Sequence, residues 1–355
     1  MVTSIVLRQY KTITILVVLG LSLLFVTLFS LTVGAVSIPF SDAVVILCKS
    51  FGLFNDITID DTFTVVMTSI RLPRVVMTLL IGAALGISGA ALQGLFRNPL
   101  VEPSLIGVSG GSAAAVVVLI VFGSAVLPSV ALWSYSVMLS LAAFAGGSAI
   151  TFFVLKLSMD SGRTNMAALI LIGVAVNALT GAIIGVAIFY ANEQQMSMFL
   201  FWTLGDLGGA TWDKLRIAAP ALILSTVGLC FFAKPLNVLA LGEAEAYHMG
   251  VHVEQTKRLM IFMAAAAVAV SVSLAGIIGF VGLIVPHLIR TIFYVDNTLV
   301  LPASALGGAF LLIIADIIAR VVVAPAELPI GVVTALIGSP FFIMLLLKSK
   351  RKLQL

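Results

Sequence analysis

Between Arg258 and Arg290 the chain carries no Asp, Glu, Lys or Arg. As one straight helix that stretch would run about 46 Å, too long for the ~30 Å hydrocarbon core of a bilayer even when tilted. It is also too apolar to lie in water as a loop. Gly276, Gly279, Gly282 and Pro286 supply places for a break. The pattern predicts two helices that meet near Gly279, the second of them short.

The same apolar habit recurs along the chain. Reading from one charged or Pro/Gly-rich break to the next gives ten candidate spans: 13–35, 75–95, 104–122, 131–155, 166–190, 215–233, 260–278, 280–294, 299–321 and 330–347. With 61% hydrophobic and only 10% charged residues, a soluble globule could neither hide its apolar surface nor stay dissolved. Soluble enzyme, disordered chain and disulfide scaffold are excluded. The runs are too continuous for the alternating strands of a membrane β-barrel. The expectation is an all-α polytopic membrane protein of about ten transmembrane helices, one domain over 1–355. The first run, behind Arg8 and Lys11, exceeds a signal-peptide core and is read as a first helix.

Charge placement orients the spans. With both termini cytoplasmic, the inner segments hold 13 of the 19 Lys and Arg residues, as the positive-inside rule requires. An odd number of spans would put the Lys348–Lys352 cluster outside. The net charge of +4 is therefore a topology signal and does not point to nucleic acid. The longest polar inner segment, 237–259, combines helix formers from Leu241 through Gly242, Glu243, Ala244 and Glu245 to His248 with a natural stop at Gly250. Beyond the stop, Glu254 and Arg258 are spaced for an i,i+4 pair. This predicts two short amphipathic helices with a glycine hinge, suited to docking a soluble partner.

Several other residues invite a function. Gly82, Gly86, Ala90 and Gly94 recur every four residues on the second span, and Gly173, Asn177, Gly181 and Gly185 do so on the fifth. Such stripes allow close helix packing, while the Asn177 amide, costly against lipid, also fits a polar path. On the outer side, Arg71 and Arg74 flank Pro73, and Asp316 and Arg320 lie one turn apart. They read either as snorkelling or locally paired arginines or as a cationic face for the carboxylates of an external protein. Gly107-Val-Ser109-Gly110-Gly111 matches the string of a serine nucleophile, but nothing ties His287, the membrane-embedded histidine, to Ser109 as its base. Cys48, Cys230 and three scattered histidines give no metal spacing. There is no P-loop, so any ATP must be hydrolysed by another subunit. Finally, Gly89 to Pro99 and Gly279 to Pro286 share a Gly, Gly-Leu, Pro pattern, an echo of two related halves such as transporters carry.

Taken together, Arg71-Leu-Pro-Arg74, Gly82-Ala-Ala-Leu-Gly86, Gln93-Gly-Leu-Phe-Arg-Asn-Pro-Leu100, Gly107-Val-Ser109, Gly279 to Arg290, Ala315-Asp-Ile-Ile-Ala-Arg320 and Glu327-Leu-Pro-Ile-Gly331 resemble the permease subunits of ABC importers for vitamin B12, ferric siderophores and heme. The match runs from about residue 65 to the C-terminus. The resemblance implies a type II ABC importer permease fold with two inverted-repeat halves, in the bacterial inner membrane. It implies a homodimer with the path on its two-fold axis, two ATP-binding subunits below and one periplasmic binding protein above. Carried over, Arg71, Arg74 and Arg320 accept acidic residues of the binding protein, Leu241 to Arg258 contact the ATPase, and Thr164 and Asn165 stand at the cytoplasmic gate. No cofactor is bound permanently; heme or an iron chelate is cargo. Phe201 to Trp212 and Gly242 to Gly250 are similar to heme permeases, except that Asp206 stands where those relatives have a small residue. A ferric siderophore or cobalamin remains the alternative cargo, and an intramembrane serine hydrolase built on Ser109 the alternative of another class.

Overall fold

The computed structural model describes residues 2–34, 36–49, 52–54, 56–126 and 135–353. Residues 131–134 of the fourth predicted span, and the side chains of Arg8 and of the Lys348–Lys352 cluster, lie outside what is described. In chain order the helices are α1 (Val2–Thr32), α2 (Phe40–Lys49) and α3 (Asp61–Val65), then a π-helical turn (Val66–Arg71) leading into α4 (Leu72–Phe96). A 3₁₀ turn (Pro103–Ile106) precedes α5 (Val108–Val126), and α6 (Tyr135–Leu157) follows. A hairpin of β1 (Met159–Asp160) and β2 (Arg163–Thr164) then enters α7 (Met166–Tyr190). The remainder is α8 (Glu193–Leu204), α9 (Trp212–Cys230), α10 (Ala233–Leu239), α11 (Glu243–His248), α12 (Val253–Ala275), α13 (Val281–Ile292), α14 (Asn297–Val321) and α15 (Ile330–Leu353).

Among the described residues six helices are long and apolar enough to cross a bilayer, α9 with α10 makes a seventh bent by 46°, and α5, α13 and α15 are shorter apolar helices. Together they carry the ten predicted spans, and 166–190 coincides with α7. The break between α12 and α13 falls at 276–280, where Gly276 (φ +71°) and Phe280 (φ +68°) turn left-handed. Only a residue without Cβ fits at 276, because a Cβ would strike the carbonyl of Trp202.

Three boundaries depart from expectation. The second span has no start at 75: α3 and the π turn run into it, so the helical stretch begins at Asp61. The stretch between the fifth and sixth spans contains α8, opened by a capping box in which Asn192 and Gln195 satisfy each other's backbone N–H. The second amphipathic helix expected after Gly250 is not separate. It is the opening of α12, which starts at Val253, because no glycine or proline interrupts the residues that follow.

Helix α4 is buried nearly all round from Val75 to Gln93, as a helix at the centre of a bundle must be. Its small residues set the packing. Gly82 and Gly86 meet the backbone of α14 at Gly308 and Ser304, and Gly89 meets Gly282 of α13. The packing reading of this stripe therefore holds. α4 and α14 run antiparallel, so the bundle has two ends. One carries Arg74, Asp316 and Arg320, the arginine end; the other carries the hairpin, α10 and α11, the hairpin end.

Candidate functional site

At the hairpin end, α11 projects between two glycines in left-handed or extended backbone, Gly242 (φ +146°) and Gly250 (φ +82°). Glu243 and Glu245 lie in its first turn, where the helix dipole favours them. Leu241, Tyr247 and Met249 are exposed, and Ala246 anchors the turn in the core. The expected Glu254–Arg258 pair is replaced by other contacts. Glu254 pairs with Lys257 at 3.1 Å and accepts the N–H of Thr164 at 2.8 Å, while Arg258 donates to the carbonyl of Gly162. Lys257 also reaches Glu243 at 2.6 Å. Glu243, Glu254 and Lys257 border an open polar cleft of about 670 Å³ that includes Thr164 and Asn165. Asn165 caps α7, accepting from the N–H groups of Ala167 and Ala168 at 3.1 Å.

At the arginine end all three guanidinium groups are buried and used within the chain. Arg74 donates to Asp316 Oδ1 at 2.9 Å and to Glu327 Oε2 at 2.7 Å. Arg320 lies 3.0 Å from Asp316 Oδ2 and donates to Ser30 Oγ at 2.6 Å and Val33 O at 2.7 Å. Arg71 donates to Leu31 O at 2.6 Å and to Val36 O. The physical logic is shared. The last turn of α1 leaves carbonyls without intrahelical partners, at the negative end of its dipole. Buried guanidinium groups need acceptors for all their N–H groups. Three arginines meet two carboxylates here, and Arg71 has only carbonyls.

The α7 stripe does not stay on one face. Residues spaced by four advance about 40° per step. Gly173 abuts Leu105 O, and Asn177 donates to Ser104 O at 3.2 Å. Gly181 and Gly185 have nothing within 4 Å, and Leu171, Leu179, Val186 and Phe189 on the same helix are exposed. Half the stripe thus packs on the loop after α4, and half looks out of the chain. No hydrogen bond joins Ser109 to a histidine among the described residues. His287 instead sets its ring edge-on to Phe341 of α15, with centroids 6.3 Å apart.

Two elements of the site escaped sequence reasoning. Lys257 looks like an ordinary loop charge, and Glu254 is spaced for Arg258; only a three-residue spacing hints that Lys257 and Glu254 pair. Gln93 donates to Gly282 O and Leu283 O at 3.3 and 3.2 Å and accepts from Arg290 at 2.7 Å. It locks together the two segments whose sequences echo each other. Its signal was an amide inside an otherwise apolar span.

Comparison with known proteins places this architecture. The model of the FecCD transport family matches residues 22–348. The hemin transport system permease protein HmuU of Yersinia pestis is 40% identical over 306 residues, 86% of this chain and 90% of that protein. The cobalamin import system permease protein BtuC of Halobacterium salinarum is 41% identical over 81% of this chain and 75% of its own length. The vitamin B12 import system permease protein BtuC of Salmonella arizonae is 40% identical over 79% and 83%. Among solved structures, an inward-facing ABC transporter assigned to the metal-chelate type superposes with a TM-score of 0.80 at 33% identity, covering 94% of this chain and 99% of the other.

Proposed function

The chain belongs to the FecCD transport family, and from that premise we propose that it is the permease of an importer that carries heme inward by ATP-driven alternating access. Members of the family are permease components of ABC transporters and are not catalysts, the ATPase being a separate subunit. That removes the hydrolase reading of Ser109. The carrying observation for heme is the likeness to the hemin permease over nearly the whole of both chains. It is supported by an aromatic segment at the arginine end, where Phe201 and Trp212 are exposed and Trp212 is pinned by its Nε1–H to Thr68 O at 2.8 Å. A flat hydrophobic macrocycle suits such a surface. Asp206 does not oppose this reading, since its carboxylate turns the loop by accepting Gly208 N–H at 2.7 Å.

In this reading two copies of the chain face each other across a path in the bacterial inner membrane, with both termini cytoplasmic. The outward face of α7, which carries Gly181, lines that path. Thr164 and Asn165 stand at the gate before it, and Asn177 borders the path from the side packed on Ser104. Two ATP-binding subunits dock on the segment from Leu241 to Gly250, covering Leu241, Tyr247 and Met249. A periplasmic binding protein sits at the arginine end. Its carboxylates respond to the one positive charge that Arg71, Arg74 and Arg320 hold in excess over Asp316 and Glu327.

Two measurements test this. In proteoliposomes holding the chain with its ATPase and binding protein, heme, a ferric siderophore and cobalamin are offered side by side. ATP-dependent accumulation of heme above the others is expected. Preferential cobalamin uptake would instead favour the second reading, which the cobalamin permeases at 41% identity support. Second, Arg71→Gln keeps an N–H donor group at this position and removes the charge. It should weaken binding-protein docking about 5-fold at low salt while leaving ATPase assembly intact. Unchanged docking at low salt would count against the arginine end as the docking face.

A further inference from the structure

An unbroken chain of polar contacts joins α11 to the first turn of α7. Glu243 Oε1 on α11 lies 2.6 Å from Lys257 Nζ. Lys257 lies 3.1 Å from Glu254 Oε1, and the second oxygen of Glu254 accepts the N–H of Thr164 at 2.8 Å. Thr164 is followed directly by Asn165, the N-cap of α7. Arg258, on the next turn of α12, holds the hairpin again at Gly162 O.

Three features make this more than a surface ion pair. The Lys257 side chain is only 5% exposed. A buried ammonium is tolerated only while carboxylates stay with it, so α11 cannot leave Lys257 without taking away the nearer of its two counter-charges and leaving it to Glu254 alone. The hairpin has two residues per strand, too few to hold a position by itself, and Glu254 and Arg258 are the side chains that fasten it to α12. On the other flank, α10 is tied to a different helix. Asn237 Nδ2 donates to Asp296 Oδ1 at 2.7 Å and the Asn297 N–H donates to Asn237 Oδ1 at 2.9 Å, both at the start of α14. The glycines at 242 and 250 bracket α11 between these two attachments.

We infer that Lys257 and Glu254 are positioning residues that transmit displacement of α11 to the start of α7, so that nucleotide events on the partner subunits reach the gate. This rests on the importer reading, in which the ATPase presses on α11 and α7 faces the path. Neither residue touches cargo. They act through Thr164 and the α7 cap.

The test uses the full complex in liposomes with hemin as cargo. Cys48→Ser and Cys230→Ser provide the background, and a spin label is placed at Ala244→Cys on α11 or Ala167→Cys on α7. In the two-fold assembly each label reports one distance between the copies. In the parent both distances should change when ATP is added. In Lys257→Met and in Glu254→Ala the Ala244 distance should still change while the Ala167 distance stays fixed, and hemin moved per ATP should fall about 10-fold. Lys257→Arg, which keeps the charge, should restore most of the coupling. Glu243→Gln, at a half-exposed position, should uncouple less severely and provides a variant that assembles if the buried ones do not. An Ala167 distance that follows ATP in both variants as in the parent, with hemin per ATP within about twofold, overturns the relay. A parent in which ATP moves neither label and drives no uptake overturns the importer reading, and the relay with it.

Discussion

Replacing Asp316 by alanine is expected to destabilise the folded chain by about 3–5 kcal/mol, the cost of stripping a buried ion cluster of its counter-charge. Asp316 is 1% exposed and is shared by Arg74 and Arg320. Without it, three arginines are left with Glu327, whose side chain is 43% exposed and spends much of its field on solvent. Unfolding of the detergent-solubilised protein by heat or SDS measures the loss. Adding Arg74→Met and Arg320→Met to Asp316→Ala should return the part lost to uncompensated charge, because apolar groups replace buried ions at little net cost, while the Ser30 and Val33 acceptors of Arg320 stay unpaired. An Asp316→Ala protein as stable as its parent would mean that water, not Asp316, balances these arginines.

The second large effect is expected from a single methyl group. Gly89→Ala puts a Cβ onto the backbone carbonyl of Gly282, where no side chain can rotate away. α4 and α13 must separate, and the Gln93 hydrogen bonds to Gly282 and Leu283 stretch with them. The loss should exceed the ~1–3 kcal/mol of ordinary overpacking. Gly181→Ala, with nothing within 4 Å, should stay within about 0.5 kcal/mol in the isolated chain. Parallel unfolding curves for the two variants decide the matter, and equal stability would show that the α4–α13 crossing is looser than described.

The spans were legible because a single property, continuous apolarity over a bilayer's thickness, decides them one at a time. The α12–α13 break was legible for the same reason, since length alone forbids one helix between Arg258 and Arg290. α8 was not. It is short and is fixed by the cap at Asn192 and by Gln195 donating to Ile120 O and Val121 O, neither of which leaves a hydropathy signature. The arginines were visible as anomalies, but their partners were not. Asp316 could be paired with Arg320 by helical spacing, whereas its bond to Arg74 crosses 242 positions. The hairpin-end relay was hidden likewise, because Glu254 and Thr164 are 90 positions apart. Sequence periodicity reports which face of a helix is apolar and says nothing of which distant backbone group a carboxylate will reach.

The clasp of α1 by Arg320 has a consequence for how the protein is made. Ser30 and Arg320 are separated by 290 positions, so α1 waits for a helix synthesised long after it. Until α14 is synthesised, Arg74 has no Asp316 and the final turn of α1 is held by Arg71 alone. The electrical balance of that rim is therefore a late event in biogenesis, and a nascent chain stalled before residue 316 exposes an uncompensated cationic edge to the insertion machinery.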